Sequence, residues 1–424
     1  MLLQFTFKNF RSFKDENTLD MRAAKVTELS YHVRKAGKEK VLPITAVYGA
    51  NASGKTNVIG ALSFMVMCVT KSVMFSSENN NNTALKFPYN DNVRFSLVNN
   101  NDETYSTFET TFILPNKKRY LYGFKIDKNG FKDEWLKLIK ANNEYNDIII
   151  RKNYKLIDYK TKKTKMEENI KTSLSNTSLV LSLGAILKDK FLMAVHNWFS
   201  NITVIDFGEP LIDIIVSQSI VSQDLITGKL KNIFLNYLAS FDNSIIDYYI
   251  EKQLNEDDDS PDYKIYTHHK MLNNDGIKKL SLQNESSGTQ KMITLFMHFH
   301  RVIQGGYPIF IDELNAKLHP LLVRLILNMF ANPETNPNNA QLIFTTHDSW
   351  LMKKDILRRD EIWFTDKNIN GVSELYSLVE FKDDKGKNIR NDENYEKNYL
   401  LGKYGAIPNL SLINLLDKDD NNDI

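Results

Sequence analysis

Gly49, Gly54, Lys55 and Thr56 stand in the run GANASGKT at the spacing Gly-x-x-x-x-Gly-Lys-Thr. Glycines so placed let successive backbone N–H groups turn toward β- and γ-phosphates, and a following helix N-terminus adds partial positive charge. Lys55 would neutralise phosphate oxygens, and the Thr56 hydroxyl would ligate Mg²⁺; Asn51, Ser53 and Asn57 belong to the same cradle. Far downstream, in IFIDE, Asp312 and Glu313 close a short apolar run. A carboxylate at a strand end beside such a loop can hold Mg²⁺ through its waters, and the next one can polarise an attacking water. In LIFTTHDS, His347 emerges from a second apolar run, placed to hydrogen-bond a γ-phosphate. The chemistry this set can do is phosphoryl transfer from ATP to water.

The elements that must position these groups are legible around them. ITAVY (44–48) is β-rich and apolar, as a buried parallel strand should be, and NVIGALSFMVM continues the loop as a buried helix. The runs 309–311 and 342–344 are separated by HPLLVRLILNMFA, a helix with Pro320 at its start, so the two strands are expected as neighbours in one parallel sheet. Upstream, in NESSGTQKMITLFMHFHRVI, Ser286 or Ser287 caps a helix on which Met292, Phe296, Phe299 and Ile303 share a face. A capped serine–glycine turn of this kind suits an anion.

Composition bounds the rest. The 424 residues carry a net charge of +2 at pH 7, which makes no global case for a polyanionic partner or a membrane. One cysteine, Cys68, excludes an intrachain disulfide and fits a reducing cytoplasm. The N-terminus is not a signal peptide, and the apolar run 58–69 is too short to span a bilayer, so a cytoplasmic protein is expected. VRFSLV, TYSTFETTFIL and RYLYGFKID read as strands of an antiparallel sheet. From Arg151 to Lys165, seven basic residues stand against Asp158 with Tyr154 and Tyr159 interleaved, a candidate nucleic-acid contact. NEDDDSPDY (255–263) reads as an acidic linker. His268–His269 and His298/His300 read as packing or surface residues rather than metal pairs, and NNDI as a frayed tail.

Taken in order, GANASGKT, SSGTQ, IFIDE and TTH resemble the Walker A, signature, Walker B and switch-histidine motifs of ATP-binding-cassette ATPases. FTFKNFRSF resembles the Rad50/RecF/SMC branch. DELNAKLHP and NYLLGKYGAIPNL are similar to AAA15, or OLD-like, ATPases of the AbiL and RloA abortive-infection types. The resemblance covers roughly residues 1–135 and 276–410. It implies an α/β ATPase head: a mixed core sheet, an antiparallel side sheet and a mainly helical insertion, divided as 1–139, 140–275 and 276–424. It implies a homodimer around two ATP molecules, with Ser286 and Gly288 acting on the partner's nucleotide. Lys55, Thr56, Asp312, Glu313 and His347 act in their own subunit, with Arg11 and Asn9 along the nucleotide. Two departures stand out. No glutamine lies between Gln4 and Gln218, where the superfamily has a Mg²⁺-sensing one, leaving Asn90 or Asp91 as substitutes; and Asn315 stands where relatives often carry an acid.

The stretch after His347 reads as two further strands rather than a Toprim nuclease domain, and no catalytic triad stands apart from the ATP site, so a chain that does not cut by itself is expected. The expected function is a regulatory ATPase that controls a separate effector, nuclease or toxin, in antiphage defence. The alternatives are a RecF-like repair ATPase contacting DNA through 151–165, and a nuclease housed in the insertion.

Overall fold

The structure, a computed structural model, describes residues 1–76, 85–97, 104–160, 164–207, 221–254, 261–272, 276–382, 386, 389–390 and 392–408. Its strands and helices follow in chain order. The first stretch contains β1 (Leu2–Lys8), β2 (Asn17–Asp20), β3 (Arg34–Ala36), β4 (Glu39–Val41), β5 (Ile44–Gly49), α1 (Lys55–Lys71), β6 (Phe75–Ser76) and β7 (Leu85–Lys86). Next come β8 (Ser106–Ile113), β9 (Arg119–Asp127), β10 (Gly130–Ile139), β11 (Tyr145–Lys152), β12 (Lys155–Tyr159), α2 (Thr164–Ser173), α3 (Val180–Ile186), α4 (Lys190–Ser200) and β13 (Thr203–Asp206). Then follow α5 (Gln223–Ile226), α6 (Lys231–Ala239), β14 (Ile245–Leu254), β15 (Pro261–Lys270), β16 (Ile277–Ser281) and α7 (Ser287–Gly305). The chain closes with β17 (Pro308–Asp312), α8 (Pro320–Ala331), β18 (Gln341–Thr345), β19 (Ile362–Lys367), β20 (Ser373–Ser377) and α9 (Tyr395–Leu400).

Hydrophobic runs decide the central sheet. β5, β17 and β18 are buried along their whole length, as strands covered on both faces must be. They sit in the order β13-β17-β18-β5-β19-β20, parallel except for the antiparallel pair β19–β20, and β17 lies directly beside β18. This mixed sheet separates two cores. Val47, Phe310, Ile343 and Trp363 face one that also holds α1, α3, α4 and the side sheet. Ile44, Ala46, Tyr48, Ile311 and Phe344 face another, closed by α7, α8 and α9. The side sheet is antiparallel throughout, in the order β12-β11-β10-β9-β8-β1-β2.

Three expectations need correction. Residues 140–275 are not mainly helical. β11 and β12 lengthen the side sheet, β13 joins the central sheet, and β14, β15 and β16 form a third sheet. The cause is β-branched and aromatic residues in runs such as IIDYYIEKQL, where pairing outcompetes helix. VRFSLV forms no strand in its described part: the Phe95 N–H is taken by the Asn9 side chain, and Val93 accepts from the Arg11 N–H. The stretch Lys55–Met74 is, by length and composition, long and apolar enough to cross a membrane. It is nonetheless a core helix, with Val58, Ile59, Leu62, Met65, Cys68 and Val69 buried and Ser182 of α3 donating to the Val69 carbonyl. The tail 421–424 and most of the acidic run 255–263 lie outside the described residues; that run joins β14 to β15 rather than leading back to the core.

Candidate functional site

The loop after β5 cannot close with side chains at its glycines. A Cβ on Gly49 would lie 2.5 Å from the Thr365 carbonyl oxygen, and Gly54 takes a φ of 116° that glycine adopts freely. Ala52, between them, is held left-handed at φ 63°, a strain that persists where surroundings over-determine it. Gly54 is the N-cap of α1 and offers no side-chain cap, so the first N–H groups of that helix lack the usual acceptor. In contrast, α7 is capped by Ser286 and α8 by His319.

Lys55 is 7% exposed and donates to the carbonyls of Gly49 and Ala50 at 2.9 and 2.8 Å. Burial lowers its pKa to about 8, although Asp312 and Glu313 pull the other way. Thr56, next along, donates to Asp312 Oδ2 at 2.6 Å. β17 delivers Asp312 to that point, and β18 fixes it, because Thr345 donates to Asp312 Oδ1. The Thr345 hydroxyl also accepts from the Glu313 N–H at 2.8 Å. That bond holds Glu313 at φ 51°, a second left-handed non-glycine residue in the site. His347 follows on the same strand end. Burial and Lys55 lower its pKa, against the pull of Glu313 and Asp312. A hydroxyl and a carboxylate 2.6 Å apart form an oxygen donor set that suits a hard divalent cation such as Mg²⁺. The open helix end beside a buried ammonium suits a phosphate chain.

Asn51 is exposed on the loop. Asn57 donates to Ser12 at 2.8 Å and accepts from Arg11 at 3.3 Å, so Arg11 lies across the start of α1. The Ser53 side chain turns away from the cradle and pairs with Thr365 Oγ1 at 2.6 Å. Ser286 and Gly288 form the N-terminal turn of α7; a Cβ on Gly288 would lie 3.2 Å from the Lys317 carbonyl. Asn90 and Asp91 spend their side chains in their own turn, on the Asn92 N–H and on Arg94. Asn315 accepts from Thr346 at 2.9 Å. Arg151 is no part of a basic patch: it is 1% exposed and donates to the carbonyls of Ser178 and Ser175. Period-two alternation turns it inward on β11, while Lys152, Lys155 and Lys160 stay exposed. Lys162 and Lys163 lie outside the described residues.

Two positioning groups escaped the sequence reading. Lys291 of α7 is buried and donates to the carbonyls of Glu313, Leu314 and Ala316 at 3.1, 2.9 and 2.8 Å. It binds the Ser286 helix to the turn that carries Glu313. Ser373, at the start of β20, stands with its hydroxyl 2.7 Å from the Ser53 carbonyl and 2.8 Å from the Ser12 hydroxyl, its one proton serving one of the two contacts and bracing the loop from behind. A buried-side lysine one turn into the capped helix was the available signal for the first; nothing local marks Ser373.

A family described as "AAA domain, putative AbiEii toxin, Type IV TA system" matches residues 44–353. No curated protein matches the chain. Among solved structures, an SMC head bound to the C-winged helix domain of ScpA aligns at 14% identity and a TM-score of 0.48, covering 89% of this chain and 97% of that one. An Smc head with an extended coiled coil from Pyrococcus furiosus aligns at 14% and 0.43, covering 89% and 96%. RecF with ATP aligns at 13% and 0.40, covering 88% and 97%.

Proposed function

The chain belongs to the AAA-domain family whose model spans its residues 44–353, and from that premise we propose that it is an ATPase that closes as a homodimer around ATP. The observation that carries the reading is the 2.6 Å contact of Thr56 with Asp312, residues 256 apart in sequence, at an uncapped helix end beside Lys55. Lys55 and the α1 N–H groups bind the phosphates; Thr56 and Asp312 would hold Mg²⁺, which would supply positive charge to the phosphate chain. Glu313 takes the proton of the attacking water, and His347 hydrogen-bonds the γ-phosphate. Ser286 and Gly288 of each copy cap the nucleotide held by the other.

Glu313→Gln tests the base. ATP turnover should fall by about 10²–10⁴-fold, the range for a lost general base, while a fluorescent ATP analogue binds as before. Turnover at the parent rate would remove Glu313 from this role. Lys55→Ala should abolish binding of the same analogue.

The finer role we propose is control of a separate effector, nuclease or toxin, in antiphage defence. The family's description, which names a toxin and a Type IV TA system, supports that setting. Phage challenge decides it: cells carrying the chain with its neighbouring gene should be protected, and cells with Lys55→Ala should not. Equal protection by both would end the defence reading. The second reading, a DNA-binding repair ATPase, retains the exposed Lys152, Lys155, Lys160 and Lys165. It requires ATP-strengthened DNA affinity that falls with salt and on charge reversal of those lysines.

A further inference from the structure

The sheet β14–β16 and helix α6 share a third small core with α7, in which Leu230, Phe234, Ile245 and Ile265 pack on Ile293, Phe296 and Met297. Where this module meets the Ser286 turn, the contact changes from apolar to a closed set of polar groups. Glu285, 7% exposed at its side chain, accepts from Thr267 Oγ1 and pairs with His269 Nε2 at 2.7 Å. The other ring nitrogen, Nδ1, lies 3.2 Å from Ser244 Oγ, and Ser244 donates to Asp242 Oδ1 at 2.6 Å. Asp242 Oδ2 accepts from Thr289 Oγ1 at 3.5 Å, and Thr289 Oγ1 stands 2.9 Å from Ser286 Oγ. The chain of contacts therefore leaves Glu285, crosses β15 and the α6–β14 junction, and returns to Ser286. Gln290 ties the Glu285 carbonyl at 2.8 Å from the helix side.

His269 is the centre of this set, because its two ring nitrogens reach two different elements: Nε2 meets Glu285 at the start of the Ser286 turn, and Nδ1 meets Ser244 at the α6–β14 junction. Networks of this kind fix one geometry when complete and lose it when one member is removed.

We propose that His269, acting through Glu285, is a positioning residue for the Ser286 turn. On this basis the β14–β16 sheet sets how that turn reaches the partner copy's nucleotide. The inference rests on the homodimer reading above. A partner protein that shifted β15 would alter ATP-driven closure without touching either nucleotide pocket.

The test uses the full-length Glu313→Gln chain, in which slow hydrolysis should let closed dimers accumulate, with ATP as ligand and sedimentation as readout. Adding His269→Ala should weaken ATP-driven association at least tenfold while a fluorescent ATP analogue binds the monomer within twofold of the parent. Ser244→Ala, a milder lesion, should weaken association about threefold. Ser286→Arg is the reference. If Ser286→Arg blocks association and His269→Ala leaves it unchanged, the positioning role is overturned and the dimer reading stands. If both leave it unchanged, the dimer reading fails and takes this inference with it. If His269→Ala loses nucleotide binding too, the residue serves the fold or its own pocket, and the inference is likewise overturned.

Discussion

Two helix N-termini in this molecule are finished in opposite ways. α1 begins at Gly54 with no side-chain acceptor, beside a lysine whose pKa burial has lowered. α7 begins at Ser286, whose hydroxyl accepts from the Thr289 N–H at 3.1 Å, inside a polar set that includes His269 and Glu285. The first end is incomplete without a ligand, and the second is complete without one. A completed turn can dock as a rigid piece against something bound elsewhere, whereas an incomplete one must itself bind. The difference teaches which end receives nucleotide first.

Lys291 ties the Ser286 helix to the turn that carries Glu313, next to the Asp312 that meets Thr56 of α1, and removing it should break the contrast most. Lys291→Met leaves the carbonyls of Glu313, Leu314 and Ala316 without their shared donor. The Glu313 carbonyl still accepts from the Ala316 N–H, so the buried Leu314 carbonyl carries the main loss; at about 1–3 kcal/mol for an unsatisfied buried group, unfolding stability should drop by roughly that amount. ATP turnover should fall as well, because the Glu313 turn loses its support, while Lys55 still binds nucleotide. Chemical denaturation and turnover of the same preparation check both. Stability within about 0.5 kcal/mol of the parent would mean that the two ends are independent.

What the sequence displayed of this arrangement follows the range of the forces involved. The cradle, the acidic strand end and the β17–β18 adjacency are written in contiguous runs: a buried strand declares itself by unbroken apolar residues, as in ITAVY. Lys291 was passed over because its three acceptors lie in a different segment and a helical lysine ordinarily faces solvent, even though its place one turn into the capped helix set it on the buried side. Ser373 was invisible because its partners, Ser12 and Ser53, are more than 300 residues away. Arg151 was misjudged for a related reason: a count of charges does not see which face of a strand they occupy. The strands of 245–281 were missed because lysines and histidines punctuate them, and here cross-strand pairing outweighed that polarity.

Ser373→Ala should give a smaller effect and sharpens the comparison from the open end. It removes a buried hydroxyl from behind the loop, worth about 1 kcal/mol. The loop needs its shape to bind nucleotide, so KM for ATP should rise several-fold while ATP-driven association at saturating ATP is unchanged. Ser373→Thr, which keeps the hydroxyl, should recover most of the loss if the pocket admits the methyl. An unchanged KM in Ser373→Ala would remove the brace from function.

The smallest effect separates the two ends by their response to protons. Burial lowers the Lys55 pKa to about 8 in the nucleotide-free chain, against 10.5 for an exposed lysine. Phosphate favours the ammonium, so ATP binding above pH 8 must take up a proton. Affinity should therefore weaken as pH climbs past 8, by at most tenfold per pH unit. Stability moves the other way. Between pH 8 and 10.5 the unfolded chain holds this proton and the folded chain has released it, so Lys55 makes folding more favourable as pH rises. Calorimetry at pH 7 and pH 9, in buffers of different ionisation enthalpy, should find proton uptake on ATP binding at pH 9 and little at pH 7. Equal uptake at both would mean that Lys55 keeps its proton in the free pocket. The α1 end would then be ready for phosphate at every pH, and its contrast with the Ser286 end would rest on capping alone.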